Sequence, residues 1–326
     1  MEDSFQRSIN YLRLSITDRC NLRCTYCMPE QGVQLQPHQE ILRLEEILRL
    51  VRVAAGLGVS KVRLTGGEPL VRKGVVSLIA RIARVKGIDD VAMTTNGVLL
   101  PRMAEQLKAA GLKRVNISLD TLNPQKFHQV TRVGDFRSAW SGIEAALAVG
   151  FNPVKLNVVV IRHFNDDEIL SFLRLTYDYP LHVRFIELMP IGASDEWAGA
   201  SLVPYTEIKA LIEKHVELTP SKAVSGSGPA RYFTLPGAKG TVGFISPISS
   251  HFCGHCNRMR LTAEGKLRPC LHNSFEVDLR APLRQGATDS ELEQVFKEAI
   301  GHKPEHHTLP ETGWANQKRA MVQIGG

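Results

Sequence analysis

Six cysteines fall into two triplets near opposite ends of the 326-residue chain, Cys20/Cys24/Cys27 and Cys253/Cys256/Cys270. None is left over. Nothing at the N-terminus reads as a secretory signal, since no basic stretch precedes an apolar one. The expected compartment is therefore the cytoplasm, which keeps thiols reduced, and the cysteines point to metal chemistry rather than disulfides. Cys20, Cys24 and Cys27 follow a C-x3-C-x2-C spacing. Three thiolates this close can hold three irons of a cube-shaped iron–sulfur cluster and leave the fourth open to a non-protein ligand. Structural zinc is the competing reading, but it takes four protein ligands, and the nearest further candidate is His38. The second triplet, C-x2-C-x13-C, is ambiguous on spacing alone. It suits a zinc site completed by His251, His255 or His272 as well as another cluster.

The elements that must position these thiols alternate along the first half. Strands are expected at residues 11–17, 61–65, 91–95, 114–120, 154–161 and 182–189. Helices are expected at 40–56, 74–85, 101–110, 136–149 and 166–177. Six strand–helix units of this kind imply a parallel sheet, either an incomplete barrel or a doubly wound one. The first triplet then lies in the loop after strand one, and Gly66-Gly67-Glu68-Pro69 in the loop after strand two. Loops in these positions build the active sites of (β/α) barrels. After Pro190 the rhythm stops. Residues 191–203 read as a linker, 204–215 as a helix, 231–235 and 241–246 as strands, 259–270 as a hairpin and 291–300 as a last helix.

Several strands carry the wrong residues for a dry core. By the period of two, Tyr11, Arg13 and Ser15 share a face, as do Lys61, Arg63 and Thr65. Asn116, Ser118 and Asp120 share another, with Lys155 and Asn157 on strand five and Glu187 and Met189 on strand six. The residues between them are apolar and suited to packing under helices. One face of the sheet is thus dry and the other polar and cationic. Unpaired buried charge is costly, so that face is expected to line a wet cavity holding an anion. Solvated strand ends are the alternative.

The cysteine loop and the Gly-Gly-Glu-Pro turn one strand later resemble those of the radical S-adenosylmethionine (SAM) enzymes. Adding Cys253-Gly254-His255-Cys256-Asn257-Arg258-Met259-Arg260, Cys270 and the Gly325-Gly326 end, the chain is similar throughout to one branch of them. That branch is the molybdenum cofactor biosynthesis protein A family of GTP 3′,8-cyclases. The resemblance implies an incomplete (β/α)6 TIM-type barrel, an α/β fold with a smaller C-terminal α+β region closing the open side. Its parts would be residues 1–190 and 191–326. It implies two [4Fe–4S] clusters, one on Cys20, Cys24 and Cys27 and one on Cys253, Cys256 and Cys270. SAM would meet Tyr26, Gly67, Ser118 and Met189. GTP would meet Arg13, Lys61, Arg63, Thr94, Lys155, Arg258 and Arg260, with Gly325 and Gly326 entering the cavity in support. The implied reaction removes hydrogen from ribose C3′, joins C3′ to guanine C8 and begins molybdopterin synthesis. Its implied partners are an electron donor and the next enzyme of the pathway, cyclic pyranopterin monophosphate synthase.

Composition agrees with a soluble enzyme. The chain is 43% hydrophobic and 22% charged, which excludes wholesale disorder. No apolar run approaches the roughly 20 residues needed to span a bilayer. The net charge of +7 comes from dispersed basic residues, which suits small anions as well as nucleic acid. A zinc protein binding nucleic acid would leave the first triplet and the Gly-Gly-Glu-Pro turn without purpose. A peptide-modifying radical enzyme would not need the cationic strand face. No nucleic acid or membrane partner is expected, and the chain is expected to be a monomer or homodimer.

Overall fold

The computed structural model describes residues 1–189, 191, 201–222, 224, 226, 228–307 and 319–325. Its first six strands are β1 (Tyr11–Ser15), β2 (Lys61–Thr65), β3 (Asp90–Thr95), β4 (Arg114–Ser118), β5 (Val154–Val160) and β6 (Leu181–Glu187). They pair in parallel in the order of the sequence. A doubly wound sheet reverses its strand order part-way. This one does not, so the chain forms an arc of a barrel. The connecting helices are α1 (Leu44–Gly56), α2 (Val75–Ile82), α3 (Ala104–Ala109), α4 (Pro124–Thr131), α5 (Phe136–Ala148) and α6 (Ile169–Asp178). They cover the outer face, where Leu12, Leu14, Val62, Leu64, Val115, Ile117, Leu156 and Val158 are fully buried.

The second half continues the same sheet. Its strands are β7 (Thr219–Ser221), β8 (Arg231–Thr234), β9 (Thr241–Ile245), β10 (Arg258–Leu261), β11 (Lys266–Arg268) and β12 (Val277–Asp278). β9 lies parallel beside β6 and β10 parallel beside β1, and the other four add on antiparallel. The twelve strands therefore run β12-β11-β10-β1-β2-β3-β4-β5-β6-β9-β8-β7. The segment between β9 and β10 crosses from one side of the arc to the other and carries Cys253 and Cys256. The α-helices of this half, among the described residues, are α7 (Tyr205–Glu213), α8 (Arg280–Arg284), α9 (Asp289–Gly301) and α10 (Met321–Ile324). Arg284 of α8 bonds Glu46 of α1 at 2.9 Å, and Arg49 bonds Asp289 at 2.8 Å, tying the two halves outside the sheet.

Three expectations shift for local reasons. The helix expected from residue 40 begins at Leu44, because Ile41 and Arg43 are extended and Arg43 caps the helix, its N–H donating to Glu46 Oε2 at 2.7 Å. The helix expected at 101–110 is a 3-10 turn, Leu100–Arg102, before α3, with Met103 off helical geometry at φ −131° and ψ −13° between them. Helix α4 was not anticipated, although Asn123 caps it by accepting from the Gln125 and Lys126 N–H groups and Pro124 opens it. Most of the linker expected at 191–203 lies outside the described residues.

Candidate active site

Strand register brings distant residues into rows on the inner face. Arg260, Arg13 and Arg63 are direct neighbours across β10, β1 and β2. Thr94, Asn116 and Lys155 form another row across β3, β4 and β5, and Asn157 is level with Arg184 across β5 and β6. These side chains are inside the protein, not at solvated strand ends: Arg63 is 6% exposed, Asn116 0% and Lys155 2%. Burial, then the neighbouring arginines, lowers the pKa of Arg13 well below its usual value. Burial and then Arg258 bring Arg260 down to about 9. Lys155 falls to about 6 through burial and the charges of Arg184, Arg114 and Arg63. Among the described residues, Nε of Arg63 and of Arg184 and Oγ1 of Thr65 are buried donors without a hydrogen-bond partner. Cations crowded together with unused donors call for an anion.

The loops at the strand ends close over this row. Gly67 N donates to Thr17 O and Glu68 N to Arg19 O, both at 2.8 Å. A Cβ on Gly67 would lie 2.3 Å from Arg19 O, so only glycine lets the two loops approach. Glu68 is 1% exposed. Its carboxylate accepts from Thr95 Oγ1 at 2.7 Å, Asn96 N at 2.8 Å and Leu70 N at 3.1 Å, joining the loops after β2 and β3. Tyr26 donates to Asp120 at 2.5 Å, tying the cysteine loop to the end of β4. Arg132 donates to Arg23 O and Met28 O, steadying the same loop from behind.

All six cysteines line one cavity, which has about 300 Å3 open to water. Burial pushes the Cys20 thiol up to about 12. Its hydrogen bond with Cys27, then burial, raises Cys24. Cys256 behaves differently. Burial works to raise it, but Arg258 and Lys303 outweigh that and bring it down to about 6. Among the described residues, no three His, Cys, Asp or Glu side chains gather around the position of a single metal ion. Thiolates that each take a separate iron have no need to converge on one point, so each triplet's donor set is compatible with a cluster.

Most residues singled out from the sequence share this cavity. Its wall includes Arg13, Arg63, Thr94, Arg258 and Arg260, and also Tyr26, Gly67, Ser118 and Met189. Lys61 and Lys155 lie on the inner strand face but off the wall. Gly325 reaches the strand ends, its carbonyl accepting from Arg260 Nη1 at 3.2 Å. A Cβ there would sit 2.9 Å from Ser15 Cβ and Thr65 Oγ1. Gly326 lies outside the described residues. Glu187 is a correction. The inner face of β6 presents Arg184 and Ile186, while Glu187 accepts from the N–H groups of Tyr205, Ile248 and Ser249. Met189 regains the cavity because β6 has ended. His307, near the C-terminus, is 8% exposed and bonds Pro247 O at 2.7 Å. Arg184 was missed as a site residue because placing Glu187 and Met189 inward puts residue 184 on the opposite face by the period of two. The available signal was the alternation of His182 and Arg184 with the apolar Leu181, Val183 and Phe185.

Two family models match the chain, that of the radical SAM superfamily over residues 14–176 and Molybdenum Cofactor Synthesis C over 181–309. The GTP 3′,8-cyclase of Heliobacterium modesticaldum is 58% identical, covering 100% of both chains. That of Moorella thermoacetica is 57% identical with the same coverage. The chain belongs to the GTP 3′,8-cyclase family. Its arc is shared with a more distant protein. Streptococcus suis SuiB, solved bound to S-adenosylmethionine, superposes with a TM-score of 0.61 over 97% of this chain and 78% of its own, at 13% identity. That likeness shows the fold. As a radical SAM protein, this GTP 3′,8-cyclase family member uses S-adenosylmethionine and an iron–sulfur cluster. Among its described residues no helix is long and apolar enough to cross a membrane.

Proposed function

We propose that the chain converts GTP to (8S)-3′,8-cyclo-7,8-dihydroguanosine 5′-triphosphate, opening molybdopterin synthesis. The observation that carries this reading is the row Arg260–Arg13–Arg63 beneath a cavity lined by both cysteine triplets. Cys20, Cys24 and Cys27 would hold a [4Fe–4S] cluster that, with SAM, would supply radical chemistry directed at C3′, and Cys253, Cys256 and Cys270 would hold a second cluster on the side of the guanine.

The chain's own residues bind and orient. Arg13, Arg63, Arg258 and Arg260 grip triphosphate oxygens, which the planar guanidinium can take in pairs. Lys61, Lys155 and Thr94 complete the GTP set, with Lys155 supplying charge from beneath. Tyr26, Gly67, Ser118 and Met189 face SAM. Gly325 and Gly326 bring the end of the chain over the substrate. The cavity holds C3′ and C8 within reach of each other and keeps bulk water away, which is the larger part of the catalytic task. An electron donor reduces the enzyme, cyclic pyranopterin monophosphate synthase takes the product, and both steps belong to the cytoplasm. Residues 1–190 supply the SAM half and 191–326 the second-cluster half.

The test is anaerobic: reconstitute with iron and sulfide, reduce, add SAM, and quantify 5′-deoxyadenosine with and without GTP. Release that requires GTP, with a triphosphate isomer of GTP as product, is the expected result. Release indifferent to GTP sends the substrate assignment back to other nucleotides or peptides. Arg258→Ala is expected to abolish cyclisation while iron content stays at the level of the unaltered chain. Unchanged product formation in that variant would remove Arg258 from the substrate site.

A further inference from the structure

Lys303 follows α9, outside the cavity wall, and is only 3% exposed. Its Nζ donates to Pro269 O at 2.7 Å, Arg258 O at 2.9 Å and Cys256 Sγ at 3.5 Å. Three acceptors around one nitrogen use all three N–H bonds of an ammonium, whereas a neutral amine has two. Among the described residues no carboxylate pairs with it. The negative group this buried cation faces is the sulfur of Cys256.

The neighbouring chain is tied to the same loops. Arg7, held by Asp3 at 2.6 Å, donates to Cys253 O at 2.9 Å and to Glu305 O and Pro304 O at 2.7 Å. Residues 303–305 thus form a strap. One end engages Cys256 and the residue before Cys270, and Arg7 joins the other end to Cys253. Arg258 also influences Cys256, but it lines the cavity and is assigned to substrate. Lys303 has no such duty.

We propose that the Lys303 ammonium is the built-in counter-charge of the second cysteine triplet, holding its thiolates together and raising the reduction potential of the cluster they ligate. This rests on the two-cluster reading above. Adding one electron makes a cluster one unit more negative. A fixed cation and an N–H···S bond stabilise that reduced state over the oxidised one. Lys303 is in this sense a positioning and tuning residue that touches no substrate.

The experiment isolates the second cluster in the full-length chain by changing Cys20, Cys24 and Cys27 to alanine. Iron is counted after anaerobic reconstitution, and the reduced fraction is read by electron paramagnetic resonance in a mediated potential titration. Lys303→Met and Lys303→Arg are then added separately. The methionine variant is expected either to lose iron or to be about tenfold less reduced at the background midpoint, a downward shift of about 59 mV for one electron. The arginine variant is expected to stay near the background in both respects. A methionine variant with unchanged iron and midpoint overturns the proposal. So does equal loss of iron in both variants with unchanged thermal melting, because a mere tether would then explain the contacts. A background chain that takes up no iron removes the second cluster itself, and the role of Lys303 with it.

Discussion

Lys155 carries the clearest pH signature of any single residue. Its pKa of about 6 in the ligand-free protein means that it is neutral over most of the physiological range. An arriving triphosphate favours the charged form and raises that pKa, so binding takes up a proton above about pH 6. GTP affinity is therefore expected to fall as pH rises from about 6 to about 9, by up to tenfold per unit. Lys155→Met should reduce that slope, leaving the titration of the nucleotide and of the other cavity groups, Cys256 and Arg260. Calorimetry across the range would show it, and identical slopes in the two proteins would take Lys155 away from the triphosphate. The same residue shows what sequence makes legible. The period of two put Lys155, Arg13 and Arg63 on an inner face. The direct Arg260–Arg13–Arg63 row depends on register across three strands, and no spacing along the chain encodes it.

Loops and helices obey different limits. Gly66-Gly67-Glu68-Pro69 was readable as a turn with chemistry, yet the role of Glu68 as a brace between two loops needed the fold. Glu68→Gln places an amide N–H2 against one of the two backbone N–H donors, Leu70 or Asn96. Leaving such a donor unsatisfied in a buried site costs about 1–3 kcal/mol. Thermal unfolding of the metal-free chain is expected to record that loss, and an unchanged melting temperature would show that the loops close without it. Glu187 failed as a cavity residue because its face was set from Met189, which lies beyond the end of β6; within the strand, alternation with the inward Arg184 and Ile186 turns Glu187 outward. Helix α4 was signalled by Asn123-Pro124 and missed because its apolar face is short, with Phe127 and Val130 as its buried hydrophobic residues. The histidines near the C-terminus gave no pattern at all. His307 is buried by contacts with Pro247 and His272, which lie far away in sequence.

At the scale of the whole molecule, the two halves share one hydrogen-bonded sheet, and their outer helices are joined by Arg284–Glu46 and Arg49–Asp289. Residues 1–190 alone would leave β1 and β6 as open edges, each a row of unpaired backbone groups. That fragment is expected to aggregate when expressed alone and to be rescued by co-expression with 191–326. A monomeric fragment with its own cooperative melt would show instead that the halves are independent. The arc itself was legible because strands and helices alternate with little interruption. Its extension at both edges was not, since nothing local says which strand β9 or β10 will join.

The ends of that sheet have a consequence for crowded solutions. An exposed strand edge recruits other chains, and long flat edges do so most readily. Here one outermost strand is β12, only two residues long. The other is β7, the three residues Thr219-Pro220-Ser221, whose proline has no N–H to offer. A twelve-stranded sheet thus ends, on both sides, in the strands least able to template a neighbour, and the chain can carry so large a sheet to high concentration without stacking into fibrils.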